Sequence, residues 1–542
     1  MNNAIFNFPL PSNETVLEYK KDSTERKQLE RELQKQLLDP IEIPLIIGGK
    51  EIRTAQTGQV KMPHRHEHVL ATYYKAGEKE VKMGINAALE AHHIWSDLSW
   101  TVRASILLKA AELISGKYRA VINAATMLGQ SKNIYQAEID AVCETVDFLK
   151  FNVYFASRIY GMQPNSAFNQ LNKMEFRPLE GFVFTVSPFN FTSIASNLNM
   201  APVMMGNTTV WKPASTSLLS NYYLMKIFRE AGLPDGVINF IPGSGSLIGK
   251  TVLKSPDLAG IHFTGSNETF NSLWKEVSRQ LSHYRSYPRL IGETGGKNFI
   301  MAHPSALSRE VAVNAYRGAF EFQGQKCSAV SRIYIPSSLW PEIKIELLKI
   351  CAEANMGDVT DPMNFINAVI DEASFDNCMN YINYALCSSE AEIIAGGHGD
   401  KQVGYFVEPT IIVTTNPRFK TMEEEIFGPV LTVFVYDDNK LEETVKLCDE
   451  TSPYGLTGAV FSSDRVATSV MCEQLRYSTG NFYINDKPTG AIVGLQPFGG
   501  SRASGTNDKA GGEFNLIRWI SPRTIKETFQ PASEFRYKYM ME

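Results

Sequence analysis

No stretch of the 542 residues runs to eighteen apolar residues, which removes a transmembrane helix from the readings open to this chain. An apolar signal core is missing from the first twenty residues, and no arginine precedes Arg26. Neither a secretory signal nor an Arg-rich transit peptide is therefore expected, and the expected compartment is the cytoplasm, or the mitochondrial matrix in a eukaryote. Positive charge is not in excess. The 53 Lys and Arg against 58 Asp and Glu leave a net charge of −5, which gives no electrostatic case for nucleic acid or an anionic membrane. Cysteine is sparse: seven residues, at 143, 327, 351, 378, 387, 448 and 472, odd in number and without a Cys-x-x-Cys. They point to a reducing compartment rather than a disulfide framework or a zinc site. Internal repeats and low-complexity tracts are also absent.

What is present is a globular composition, 44% apolar and 20% charged, long enough for two or three domains with substantial cores. After an extended, Pro-containing start at residues 6–11, residues 22–38 place Leu29, Leu33 and Leu37 four apart, an apolar stripe on a surface helix. Residues 41–53 read as two short strands around Gly48-Gly49. His64-Arg65-His66-Glu67-His68 has the residue types of a metal cluster. In a strand, however, alternate residues merely share a face and no further ligand group follows, so no metal is expected. Residues 78–155 are mostly helical in pattern, and residues 161–178 turn polar in a way that suits a protruding hairpin.

Apolar strands at 181–187, 208–212, 237–241, 260–264 and 289–292 then alternate with helix-like runs at 193–205, 217–231, 246–253 and 268–281. Strands separated by helices of this length imply right-handed βαβ units and a parallel sheet, the outline of a nucleotide-binding architecture. The Gly-x-Gly-x-x-Gly fingerprint is missing, since Gly243-Ser244-Gly245 is followed by Ile248 where the third glycine belongs. A second alternating region from Asn298 to the glycine-rich Gly499-Gly500 makes a second α/β domain. The polar, aromatic tail beyond Ile520 is too short to fold alone.

Three motifs carry chemistry. Gly324-Gln325-Lys326-Cys327-Ser328 places one cysteine between a helix-like run at 311–322 and an apolar strand, where the thiol is expected to be accessible and, beside Lys326, partly ionised. Thirty-four residues upstream, Glu293 precedes Gly295-Gly296, and further upstream stands Ser187-Pro188-Phe189-Asn190-Phe191. Aldehyde oxidation needs such a set. A thiolate from Cys327 would add to the carbonyl, Asn190 and the Cys327 N–H would hold the oxyanion, and Glu293 would be general base for hydrolysis of the thioester. A cysteine hydrolase, a CoA-acylating dehydrogenase and a catalytically silent relative are the competing readings. The first needs a histidine beside Cys327, and Glu293 argues against the second.

Together these motifs resemble the aldehyde dehydrogenase superfamily. Phe322-Gln323-Gly324-Gln325-Lys326-Cys327, Tyr483-Ile484-Asn485-Asp486-Lys487, Thr489-Gly490-Ala491-Ile492-Val493-Gly494 and Ala503-Ser504-Gly505-Thr506-Asn507 are most similar to its pyrroline-5-carboxylate dehydrogenase branch. The implied fold is α/β and aldehyde dehydrogenase-like. A Rossmann-type cofactor domain would span residues 1–160 and 182–295 and an α/β catalytic domain residues 296–505. The hairpin at 161–181 and the tail at 506–542 would form a small β oligomerisation element. The implied activity is NAD-dependent oxidation of L-glutamate γ-semialdehyde to L-glutamate, the second step of proline degradation. For the cofactor, the resemblance implies Ser187, Lys212, Gly265, Ser266, Asn267, Glu268, Thr269, Glu425 and Phe427. For the substrate, Lys326, Ser328 and the Gly490-Ala491 backbone would take the carboxylate. Phe191 and Phe498 would enclose the methylenes, and Glu144 would meet the ammonium. Ser215 stands where many NAD-preferring relatives have glutamate, which leaves NADP open. A homodimer is implied, with another semialdehyde as substrate and a separate proline dehydrogenase as partner both left open.

Overall fold

The computed structural model describes residues 8–541. The beginning of the extended start at 6–11 and part of the N-terminal targeting reading lie outside the described residues.

The first alternating region folds into a seven-stranded sheet in the order Arg289–Glu293, Leu258–Thr264, Phe182–Val186, Thr209–Lys212, Ile238–Phe240, Leu45–Ile47, Lys50–Ile52. The first five strands are parallel and the last two are added antiparallel. Helices cover both faces of such a sheet, which is why its central strands are apolar without alternation: every residue of Leu258–Thr264 is buried. Phe182–Val186 is central, with the next two strands laid to one side and the two after them to the other. That reversal opens a crevice beyond the carboxyl ends of Phe182–Val186 and Leu258–Thr264, where open α/β sheets bind ligands.

The chain crosses directly from Arg289–Glu293 to Asn298–Ala302, an inner strand of a second seven-stranded sheet. Its order is Ala391–Ala395, Thr410–Thr414, Val430–Tyr436, Val330–Pro336, Asn298–Ala302, Thr457–Phe461, Asn481–Ile484, parallel except for the antiparallel pair at the Ala391–Ala395 edge. The site lies where the two sheets meet.

Leu29 and Leu33 are buried along Thr24–Leu38, as their spacing predicts, and Leu37 is half-buried. The long helical region is interrupted by a π-helical segment, Glu138–Glu144, between Ile134–Ala137 and Thr145–Tyr160. Such wide turns recur at functional sites. Of the histidine run, His64 is buried against the Ser131 hydroxyl at 3.1 Å and His66 stacks on Tyr405. The hairpin expected at 161–178 is not a local one. Gln170–Pro178 pairs antiparallel with Ile520–Thr528, so the C-terminal tail supplies the backbone partners that the polar segment lacks.

Candidate active site

The helix before the cysteine, Ser308–Phe320, ends two residues earlier than its pattern predicts. Phe322, Gln323 and Gly324 then take φ of +52°, +56° and +68°, a left-handed turn that L side chains resist by about 1–2 kcal/mol per residue. Only glycine fits the third position, because a Cβ there would come within 2.3 Å of the Gly428 carbonyl oxygen. Side chains on either side hold the turn. Gln323 Nε2 donates to the carbonyls of Ser131 (3.0 Å) and Ala368 (2.7 Å), and Gln325 Oε1 accepts from Ile370 N–H (2.9 Å).

The turn delivers Cys327 to the Glu293 carboxylate, with Sγ donating to Oε1 at 2.9 Å. An accessible, partly ionised thiol beside Lys326 is not what the structure contains. Cys327 is only 8% exposed, and burial followed by the nearby Glu293 charge holds its pKa well above the ordinary thiol value. Lys326 turns away from the sulfur to pair with Glu321 Oε2 at 3.1 Å. Glu293 itself ends the last strand of the first sheet, and burial pushes its carboxyl up to about 7. A thiol and a carboxylate, each disfavoured in its charged form, thus share a hydrogen bond. The glycines that follow are close-approach positions. A Cβ on Gly295 would strike the Glu425 carboxylate, and one on Gly296 would lie 2.5 Å from the Cys327 carbonyl oxygen.

Asn190 Nδ2 donates to the Gln325 carbonyl at 3.0 Å, which uses one of its two N–H groups and ties it to the cysteine loop. It stands just before the helix Thr192–Met204, whose first amides, Thr192 N–H (3.0 Å) and Ser193 N–H (2.9 Å), are capped by Asp140. Asp140 is in turn paired with fully buried Lys132 at 2.6 Å, and Lys132 lies over the rings of Phe191 and Phe322. Sequence reasoning missed this pair. Sequence gives it no signal: Lys132 lies in the polar link Ser131-Lys132-Asn133 between two helices, and Asp140 stands among the acidic residues Glu138 and Glu144.

A cavity of about 320 Å³ opens from Cys327 and Glu293. All seven residues expected at the substrate, Glu144, Phe191, Lys326, Ser328, Gly490, Ala491 and Phe498, line it. Glu144 closes the π-helical segment and accepts from the Ser193 hydroxyl at 2.9 Å; burial, with the Asp140 charge, raises it to about 8. Burial pulls Lys326 down to about 8. Its partner Glu321 works against its own burial, and the charges of Lys326, Lys487 and Arg317 hold it at about 2. Ser328 Oγ is 2.7 Å from Thr489 Oγ1. Among the described residues neither the Gly490 nor the Ala491 amide donates to the protein. Glu321, Lys487 and Thr489 were not singled out from sequence, although the last two lie inside phrases that carried the resemblance.

On the other side of the cysteine, Lys212 ends its strand half-exposed. It has no side-chain hydrogen bond or ion pair among the described residues, and burial lowers its pKa. Its Cε would lie 3.8 Å from a Cβ on Gly245, at the start of the helix Gly245–Val252. Ser266 caps Asn267–Arg279 by accepting from Thr269 N–H at 3.3 Å, directly after Gly265 at the end of Leu258–Thr264. Asn267 is spent on the Ala503 carbonyl at 2.8 Å, and Glu268 is exposed in the first turn. Ser187 Oγ accepts from Trp211 Nε1 at 3.0 Å, and its N–H donates to the Lys212 carbonyl at 3.3 Å. Glu425 accepts from Gly296 N–H at 2.8 Å and is raised by burial to about 7. Phe427, at φ +58°, packs against Phe189. Ser215 opens the short turn Ser215–Ser217, adjacent to Lys212. An unpartnered lysine, two helix starts at strand ends and a carboxylate beside the thiol fit a dinucleotide laid across this crevice.

A nucleophile and base at the join of a doubly wound sheet and a second α/β sheet match one family in profile: the chain belongs to the aldehyde dehydrogenase family, over residues 52–525. Within it, the chain is 51% identical over 540 residues to the mitochondrial Delta-1-pyrroline-5-carboxylate dehydrogenase of Dictyostelium discoideum, covering 99% of this chain and 97% of the relative. The mitochondrial human protein of that name is 47% identical, over 98% of this chain and 94% of its own. Among solved structures, the Delta-pyrroline-5-carboxylate dehydrogenase of Mycobacterium tuberculosis bound with NAD superimposes with a TM-score of 0.96 at 46% identity, covering 99% of each chain.

Proposed function

We propose that this protein oxidises L-glutamate γ-semialdehyde, the open form of Δ1-pyrroline-5-carboxylate, to L-glutamate with NAD. The observation that carries the reading is the cavity itself. A thiol hydrogen-bonded to a carboxylate stands at one end, and a lysine, a hydroxyl and two unpartnered amides stand at the other.

As Cys327 Sγ bonds to the aldehyde carbon, its proton passes to Glu293 Oε1, already 2.9 Å away. The carbonyl π pair moves to oxygen, where the second N–H of Asn190 and the Cys327 backbone N–H receive it. Bound NAD supplies the hydride acceptor, and Lys212, Ser266 and Glu425 would hold it. Cys327 then carries a thioester. Glu293 releases that proton to solvent and takes another from water as the water oxygen attacks the acyl carbon; the C–S bond then breaks, the sulfur recovers its proton from Glu293, and glutamate is released. At the far end Lys326, Ser328 and the amides of Gly490 and Ala491 would anchor the α-carboxylate, and Glu144 the α-ammonium. Phe191 and Phe498 exclude water from the methylenes between.

A homodimer joined through the Gln170–Pro178 and Ile520–Thr528 ribbon is part of this reading, supported by exposed Phe168, Phe529 and Phe535 beside it. Among the described residues no helix is long and apolar enough to cross a membrane. The seven free cysteines fit a reducing compartment, either the cytoplasm or a mitochondrial matrix.

The test is initial-rate NADH formation with pyrroline-5-carboxylate, propanal and succinate semialdehyde. A marked preference for the first, lost by at least a thousandfold in Cys327→Ala, is expected. Equal or better rates with the simple aldehydes would overturn the substrate assignment while leaving the chemistry in place.

A further inference from the structure

Residues 8–20 form no helix or strand, yet they are fixed along the molecule by carboxylates. Glu138, at the start of the π-helical segment, accepts from Leu17 N–H (3.0 Å) and from the Tyr19 hydroxyl (2.8 Å). Glu14 pairs with Arg119 (3.1 Å) and Lys150 (3.0 Å), and Arg119 also donates to the Thr15 carbonyl (2.7 Å). Between these anchors the strap reaches the substrate cavity, which Asn13, Glu14 and Val16 help to line. There Asp147 takes two hydrogen bonds from it, from Asn13 Nδ2 and from Glu14 N–H, each at 2.7 Å. The other N–H of the Asn13 amide goes to the Val493 carbonyl at 2.8 Å.

That carbonyl belongs to the irregular loop whose Gly490 and Ala491, with unpartnered amides among the described residues, line the cavity. No sheet ladder holds residues 487–496. Thr489 is fixed from beneath by Ser328, and Ile492 by Gln496 Oε1 at 2.9 Å from within the loop itself. Val493 packs against Phe148 and Phe151 of Thr145–Tyr160, and among the described residues Asn13 supplies the side-chain hydrogen bond that ties the outer half of the loop to another element.

We infer that Asn13 is a specificity-determining positioning residue: by bridging Asp147 and the Val493 carbonyl, it holds the residue 489–493 loop over the end of the cavity that receives a substrate carboxylate. The inference rests on the functional reading above, and it deepens that reading by making a strap from the far end of the chain part of carboxylate recognition. An aldehyde with no carboxylate makes no use of the amides so positioned. Loss of the clamp therefore falls on the KM of a carboxylate-bearing substrate rather than on the chemical step.

The experiment compares wild type, Asn13→Ala, Asp147→Ala and the double variant on pyrroline-5-carboxylate and on propanal. Each single change is expected to lower the ratio of kcat/KM for pyrroline-5-carboxylate over that for propanal about tenfold, carried by KM, as removal of a charge-assisted hydrogen bond would do. The double variant should lose no more than either single one, since the two residues act as one clamp. An unmoved ratio, an equal loss on both aldehydes, or multiplicative losses in the double variant would each overturn the inference. A wild type that fails on pyrroline-5-carboxylate but oxidises propanal would instead overturn the functional reading, and the inference with it.

Discussion

Glu293 and Cys327 meet with one proton between them, and burial decides when it can move. With the carboxyl held up near 7, Glu293 keeps its proton below that pH and is a base only above it. The pH profile of kcat/KM should therefore rise through about 7. Glu293→Gln should flatten that limb and lower the hydrolytic rate by roughly 10²–10⁴, the usual contribution of a positioned base. Stopped-flow NADH traces would then show the first turnover slowed as well, since Glu293 also receives the thiol proton, and an unchanged profile would remove Glu293 from the role. Glu144 gives a stability counterpart. Its pKa is about 8 in the fold against an ordinary 4.5, so between those values the native state binds more protons than the unfolded chain. Stability tied to this group is full at low pH and is lost as pH rises toward 8. Glu144→Gln, neutral throughout, should match the wild-type Tm near pH 4.5 and exceed it by several degrees near pH 8, while raising KM for the substrate. The nucleophile and base were legible as residue types at motif positions. The state of the thiol was not, because the neighbour in sequence, Lys326, spends its charge on Glu321.

The left-handed turn at Phe322, Gln323 and Gly324 shows what periodicity cannot see. The helical pattern continues through Phe322, and only Gly324 carries a turn signal. The conformation of the two residues before it is imposed by Gln323 reaching Ser131 and Ala368, which are far away in sequence. Gly324→Ala should displace the Gly428 strand start or the cysteine itself. A fall in Tm of several degrees together with at least a hundredfold loss of kcat is expected in thermal melts and NADH assays, and a variant with wild-type values would show the turn to be tolerant. The π-helical segment was equally hidden, since an i→i+5 turn leaves no period of its own in so few residues. Yet it sends Glu138 to the N-terminal strap, Asp140 to the helix after Asn190 and Glu144 to the cavity.

Across the whole molecule, the alternation of strands and helices predicted two α/β units, and two seven-stranded sheets are present. What the pattern could not supply were pairings between distant segments. Gln170–Pro178 reads as half of a hairpin because its partner, Ile520–Thr528, lies near the other end of the chain. Beyond that strand the tail leaves Phe529, Phe535, Tyr537 and Tyr539 exposed, a large aromatic surface for a solitary chain. Removing residues 529–542 should shift the mass measured by light scattering from that of the proposed dimer toward that of a monomer; an unaltered mass would exclude the tail from the contact. The base closes a strand of one sheet and the nucleophile stands before a strand of the other, so neither sheet possesses a fragment of the catalyst that works by itself. Cut at the short link between Glu293 and Asn298, the chain would yield a base with nothing to deprotonate and a thiol with nothing to receive its proton. The reaction is indivisible in the way a lock and its strike plate are, and inheritance, recombination or design must carry both pieces together.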